Sequence, residues 1–93
     1  MTPLLWAAHN SDEGIVNLLL EKMADTEAKD NKGMTPLLWA AHNSDEGIVK
    51  LLVDKGADID AKDDECMTPL LWAAREGQEG IVNLLRVKEK KSL

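Results

Sequence analysis

The side chains that could carry chemistry in this chain are two histidines, a cysteine and two serines. His9 and His42 occupy equivalent positions of a repeated segment, and Ser11 and Ser44 each follow a His-Asn pair. A closed zinc site needs about four ligands, and Cys66 falls in a predicted turn, so the sequence predicts no metal site. Neither serine has a third group spaced to orient a nucleophile beside histidine. We therefore expect no catalytic residues, no metal and no cofactor.

Two acidic segments are the remaining candidates for ion chemistry. They read "DTEAKD" at residues 25–30 and "DIDAKDDE" at residues 58–65. Both lack the glycine-centred ligand spacing of a calcium loop, so we interpret them as solvated loops. The chain also has no nucleophile elbow, phosphate loop or metalloprotease motif.

Charge and hydropathy exclude several classes of partner. The net charge of −6 disfavours binding to a phosphate backbone, so we expect no nucleic acid partner. No apolar run reaches the ~18–20 residues that cross a membrane, and we see no secretory signal. From these two observations we expect an intracellular, cytoplasmic protein without a membrane partner. The single Cys66 cannot form an internal disulfide, so the sequence does not call for an oxidising compartment.

An internal repeat decides the architecture that must position these residues. The segment "MTPLLWAAHNSDEGIV" fills residues 1–16 and returns at residues 34–49, and "MTPLLWAA" returns again at residues 67–74. The period is 33, which predicts stacked helical units rather than one mixed core. We expect a single domain over residues 1–93 with units at 1–33, 34–66 and 67–93. The last unit ends on the polar sequence "RVKEKKSL", which we interpret as a partial cap.

Each unit predicts two short helices and a turn. Thr2 is a good N-cap and Pro3 suits the first helical position, so the first helix should span residues 3–10. Ser11 or Asp12 caps a second helix that ends near Lys22. The polar tail at residues 24–33 then links one pair to the next. Helices this short are marginal alone, so each unit needs its neighbour to complete its core.

The segments "TPLLWAA" and "GIVKLLVDKGADIDAKD" in this order resemble the ankyrin repeat, over essentially the whole chain. The resemblance implies an all-α ankyrin-repeat solenoid, in which stacked helix-turn-helix units are joined by β-turn-like loops. It also implies a non-enzymatic module that binds a protein or peptide partner through a concave face and turn tips.

Several residues depart from the family pattern. The family's Thr-Pro-Leu-His ends on Leu5, Leu38 and Leu71 here, which replaces a hydrogen bond near the turn by apolar packing. Ser11 and Ser44 stand where the family has glycine, so a left-handed residue there should cost roughly 1 kcal/mol or shift the backbone.

Two further departures are glycines that are lost in the turns and glycines that lie inside helices. Met23 and Cys66 replace glycines that the neighbouring units keep, so either the backbone moves or strain is accepted. Conversely, the first turn of each second helix contains a glycine, at Gly14, Gly47 and Gly80. Each glycine lowers helix stability by about 1 kcal/mol relative to alanine. We interpret them as the result of simple duplication, or of close backbone packing against a neighbour or a partner.

The three tryptophans are the strongest candidates for a functional surface. Stacked helices lie about 8–10 Å apart, so Trp6, Trp39 and Trp72 should form a row. The row either lines a binding groove or wedges between successive helices, and partial exposure makes the two interpretations compatible.

The resemblance adds the turn tips and first-helix ends as contact candidates, with ordinary solvated surface as the alternative for each. The full set of partner-binding candidates is Trp6, His9, Asn10, Asn31, Lys32, Met34, Trp39, His42, Asn43, Asp64, Glu65, Met67, Trp72, Arg75 and Glu76.

Two functions follow from the sequence. The first is the partner-binding module just described. The second is a structural element, natural or engineered, whose apolar terminal units stack on other copies, because terminal repeats normally need polar outer faces. A fragment of a longer array, including a domain that regulates an attached enzyme, would have the same exposed ends.

Overall fold

The computed structural model describes residues 2–90, with side chains described as far as Lys88. Within these residues the chain forms helices and turns. The helices are α1 (Pro3–His9), α2 (Glu13–Glu21), α3 (Pro36–His42), α4 (Glu46–Asp54), α5 (Pro69–Arg75) and α6 (Glu79–Lys90). The prediction of an all-α stack of helix-turn-helix units is confirmed. The end of the predicted polar cap, at residues 89–93, lies outside the described side chains.

Side-chain caps start the first five helices. Thr2, Thr35 and Thr68 each accept a hydrogen bond through Oγ1 from the backbone N–H three residues later, at 3.2 Å. This is the predicted cap, and proline follows at each first helical position. Asp12, rather than Ser11, caps α2 by accepting from the backbone N–H of Ile15 at 3.1 Å.

Helices of the same kind stack in two layers. One layer holds α1, α3 and α5, and the other holds α2, α4 and α6, so that each helix packs on its counterpart in the next unit. The main core lies between the layers and includes the fully buried Leu37, Ile48, Leu52 and Ile81. Helices of seven to nine residues are thereby stabilised by neighbouring units.

The loops between units lie side by side as turn tips. In the first, the N–H of Asp30 donates to the carbonyl oxygen of Met34 at 3.1 Å, and the N–H of Gly33 donates to that of Asp30 at 3.0 Å. The next tip joins it through the N–H of Asp64, which donates to the carbonyl oxygen of Lys32 at 3.1 Å. A Cβ on Gly33 would lie 2.9 Å from the backbone nitrogen of Asp64, so glycine permits this approach.

The backbone keeps its left-handed residues where glycine has been lost. Ser11, Ser44, Met23 and Cys66 have φ angles between 57° and 62°. Gly56, the counterpart of Met23, has a φ of 87°. Of the two alternatives from sequence, strain is accepted and the backbone does not move away from the left-handed region.

The glycines at the start of the second helices have a packing role. A Cβ on Gly47 would overlap the carboxylate of Glu13, and a Cβ on Gly80 would overlap that of Glu46. Each carboxylate therefore lies against the first turn of the next unit's helix, where the helix dipole favours negative charge. The close-packing explanation applies at these two positions.

The leucines that replace the family's histidine differ in environment. Leu5 and Leu38 are fully buried, whereas Leu71 is 48% exposed. Leu38 packs with Met34, so apolar packing replaces the hydrogen bond at this position, as expected.

No helix within residues 2–90 combines the length and apolar character required to cross a bilayer.

Candidate partner-binding face

The three tryptophans alternate with histidines in one continuous row along the α1, α3 and α5 layer. The Trp–His row consists of Trp6, His9, Trp39, His42 and Trp72. Its successive ring centroids are 5.9, 4.4, 5.5 and 4.6 Å apart, and every pair meets edge to face. Such edge-to-face contacts are the favoured geometry of aromatic pairs. The row therefore also serves as packing between units.

Arg75 continues the row at the position that histidine holds in the first two units. Its guanidinium carbon lies 5.5 Å from the ring centroid of Trp72, within the range of a cation–π contact. The row thus ends on a positive charge.

An aspartate in each turn tip holds the indole of the following unit. Oδ2 of Asp30 accepts a hydrogen bond from Nε1 of Trp39 at 2.9 Å. Its Oδ1 accepts from the backbone N–H groups of Lys32 and Met34, at 2.9 and 3.0 Å. One carboxylate therefore fixes both the turn and the orientation of the ring.

Asp63 repeats this arrangement one unit later. Its Oδ2 accepts from Nε1 of Trp72 at 3.0 Å, while Oδ1 accepts from the N–H groups of Glu65 and Met67 at 2.8 and 3.0 Å. The Asp63 side chain is buried, with 8% of the residue exposed. Neither aspartate was among the sequence candidates, although both lie nine residues before a tryptophan, and that repeated spacing was the available signal.

The hydrogen bonds of Asp30 also set its ionisation. Partial burial raises the pKa of this carboxyl, but the N–H groups of Met34 and Lys32, the Trp39 indole and the Lys32 charge lower it. Their combined effect exceeds that of burial, so the pKa of Asp30 lies below its ordinary value. The ionised form is therefore the one that holds the turn.

Asn43 links the Trp–His row to the preceding helix. Its Nδ2 donates to the carbonyl oxygen of His9 at 2.8 Å, which satisfies a free carbonyl at the end of α1. Because a carbonyl only accepts, this contact fixes the amide orientation, and Oδ1 faces Nδ1 of His42 at 3.1 Å. Nδ1 of His42 is therefore the donor in this contact.

Exposure of the tryptophans falls along the row. Trp6 is 53% exposed, Trp39 is half-buried and Trp72 is 8% exposed. The row is therefore exposed at Trp6 and packed between helices at Trp72, and its role as a binding groove stays a prediction.

A cleft of about 140 Å³ opens beside the row between the second and third units. Trp39, His42 and Trp72 supply its ring surfaces. The other lining residues are Lys32, Met34, Asp63 and Glu65, which bring turn tips and row together.

The structure separates the sequence candidates into three groups. His9, Asn10, Asn31, Lys32, Asn43, Asp64, Glu65, Arg75 and Glu76 are exposed, and Met67 is half-buried. Met34 differs from expectation, because it is 4% exposed and packs with Leu38, Ala41 and Trp72. It contributes to the cleft wall but belongs mainly to the core.

The histidines and the cysteine are not arranged as a metal centre in the part of the chain that the structure describes. Within residues 2–90 no group of three or more His, Cys, Asp or Glu side chains is placed to hold an ion. The thiol of Cys66 is exposed on a turn.

Comparison with known families agrees with this architecture. The family model for ankyrin repeats in three copies matches residues 4–92, and the chain belongs to the ankyrin repeat family. Ankyrin repeats are generally non-enzymatic protein-interaction modules. A search of curated proteins returned no significant match.

Proposed function

We propose that this chain is a non-enzymatic interaction module that binds a protein or peptide along the Trp–His row and the turn tips. The observation that carries the proposal is the cleft beside the row, where ring surfaces and charged tips converge. Binding pockets combine apolar and aromatic walls with a few polar groups that fix orientation. Trp39 and Trp72 offer the walls, and Lys32 and Glu65 offer the polar groups.

The chemistry of the cleft suggests what a partner would present. An apolar or aromatic side chain fits between the indoles, while hydrogen-bonding groups beside it meet Nε2 of His42. Lys32 and Glu65 carry opposite charges, so the partner segment is expected to carry both signs. A folded protein loop and an extended peptide are both compatible with such a surface.

The rigid orientation of the rings favours binding. Asp30 and Asp63 fix the indoles of Trp39 and Trp72 through hydrogen bonds, so little side-chain freedom is lost when a partner docks. Aromatic anchors of this kind commonly dominate interface energies. An intracellular, cytoplasmic location remains part of this proposal, and the exposed thiol of Cys66 is compatible with it.

The test begins with selection of binders from a displayed peptide library, followed by titration calorimetry against single variants. We expect Lys32→Ala and His42→Ala to weaken binding by about tenfold or more, as at interface hot spots. Lys50→Ala is the matched control, because Lys50 is exposed on α4 in the opposite layer. The proposal fails if selected binders lose affinity with Lys50→Ala and keep it with both row-face variants.

A further inference from the structure

The first unit exposes an apolar face. The equivalent face of each later unit is covered by the unit before it. Ile15 is 47% exposed, whereas its counterparts Ile48 and Ile81 are fully buried. Leu18 is 57% exposed, and its counterparts in α4 and α6 are half-buried. Together with Trp6, these side chains form what we call the leading face, the side on which each later unit contacts the unit before it.

The third unit exposes the opposite face. Leu71 is 48% exposed, whereas Leu5 and Leu38 at the same position are fully buried. Ala74 is likewise exposed, while its counterparts Ala8 and Ala41 are fully buried. We call this surface the trailing face, because Leu5 and Leu38 are covered by the unit that follows them.

The two internal interfaces show how a leading face meets a trailing face. The His9 ring lies 4.4 Å from that of Trp39, and the His42 ring lies 4.6 Å from that of Trp72. The carboxylates of Glu13 and Glu46 lie against glycines of the next helix in the same way. The joint is therefore a repeated geometry, used twice within one chain.

We propose that a second copy of this chain stacks head to tail, its leading face covering the trailing face of the first copy. Trp6 of the second copy would then meet Arg75, as Trp72 meets His42. Glu79 would lie against Gly14 of the second copy, as Glu46 lies against Gly80. Each contact uses a residue that the internal joints already place at that position.

Charge favours this order of the two faces. Residues 1–33 carry three lysines and six acids, a net charge of −3. Residues 67–93 carry five basic groups and three acids, a net charge of +2. Opposite charges at the joining ends attract each other, and the attraction weakens as salt screens it.

The joint is heterologous, because different faces meet, so stacking does not close after two copies and longer stacks form. The contacts that define it are helix contacts, whereas the internal joints also have turn contacts such as that between Asp64 and Lys32. We therefore expect a weak association whose extent rises with concentration. The inference is independent of the proposed function, since the cleft lies between the second and third units.

The test blocks each face separately and measures mass by sedimentation equilibrium from micromolar to millimolar concentration. Leu18→Glu blocks the leading face, and Leu71→Glu blocks the trailing face. Asn17→Glu and Asn83→Glu are controls with the same added charge, at a position that is exposed in all three units. Circular dichroism of each variant reports whether it is folded.

The expected results distinguish this joint from a symmetric dimer. The native chain and both asparagine controls should increase in mean mass with concentration, and less so at high salt. Each leucine variant alone should keep the mass of one chain. An equal mixture of the two should form dimers and nothing longer, because one intact face of each kind is present.

Other outcomes would overturn the proposal. A native chain that keeps the mass of one chain across the range excludes stacking. Association of either leucine variant alone, to the native extent, would mean that like faces meet. A mixture of folded leucine variants that stays monomeric while the native chain associates would also contradict the head-to-tail joint.

Discussion

The Asp63 carboxylate satisfies three donors, as Asp30 does one unit earlier, and Asp63 is the more buried of the two. Replacing it by alanine leaves the Trp72 indole N–H and two turn N–H groups without their acceptor. Each unsatisfied buried group costs about 1–3 kcal/mol, so Asp63→Ala should lower the free energy of unfolding by at least that amount. Urea unfolding measures the loss. Asp64→Ala removes the same charge from the adjacent exposed residue, and an equal loss there would contradict this role.

Acid should weaken the turn that Asp30 holds. Its pKa is lowered in the folded chain, so the unfolded chain binds the proton more tightly. The stabilisation is complete above the unfolded value near 3.9 and is lost as pH falls through the lower folded value. Urea unfolding of the native chain and of Asp30→Asn between pH 7 and pH 2.5 measures this. Asp30→Asn should have a lower free energy of unfolding than the native chain at neutral pH. It should also lose less of that free energy than the native chain does when the pH falls. Parallel pH profiles would contradict the assignment.

Met23 and Gly56 occupy equivalent positions with left-handed backbone, so exchanging their residue types should change stability in opposite directions. Met23 has a φ of 61° and is 91% exposed, so it is strained without packing in return. Met23→Gly should therefore stabilise the fold by about 1 kcal/mol, and Gly56→Met should destabilise it by a similar amount. A Cβ on Gly56 meets nothing within 4 Å, so the reverse change tests backbone strain alone. Chemical denaturation compares the two, and changes of the same sign would refute the explanation.

At the scale of the elements, local signals predict the helices well. Thr-Pro at each first helix, and aspartate before glutamate at the second helices of the first two units, specify helix starts through contacts within four residues. The contacts between units were not predictable in the same way. That Glu13 lies over Gly47, or that Asn43 reaches the end of α1, depends on how closely two helices stack. Local sequence does not encode that distance, so these contacts between units were not predicted, although Asn43 itself was among the candidates.

Asn43 allows a test of this contact between elements. Asn43→Asp keeps an acceptor beside His42 but replaces the donor to the His9 carbonyl oxygen by a negative charge. Loss of the bond should cost about 0.5–1.5 kcal/mol, with further repulsion between the two oxygens. Asn10→Asp is the control, since it makes the same change beside His9 in the first unit. Urea unfolding at low concentration should find Asn43→Asp clearly less stable than Asn10→Asp, and equal stabilities would exclude the capping role.

At the scale of the whole molecule, equal sequence does not mean equal environment. The tryptophan of "TPLLWAA" is half exposed in the first unit and buried in the third, although the seven letters are identical. The repeat predicted the stack and the row. It did not predict which copy of each residue is covered, because coverage comes from the neighbouring unit.

Isoleucine at the third position of each second helix measures that coverage directly. Ile48 and Ile81 are fully buried against the preceding unit, so truncation to alanine should cost about 2–5 kcal/mol at each. Ile15 is 47% exposed, so Ile15→Ala should cost well under half as much at concentrations where the chain is a monomer. The three variants carry the same chemical change in nearly identical local sequence. The change in helix propensity is therefore the same in each, and differences between the three free energies report burial. Urea unfolding gives the three free energies. Equal losses would mean that each pair is stabilised by its own helices, and the dependence of each unit on its neighbour would then be wrong.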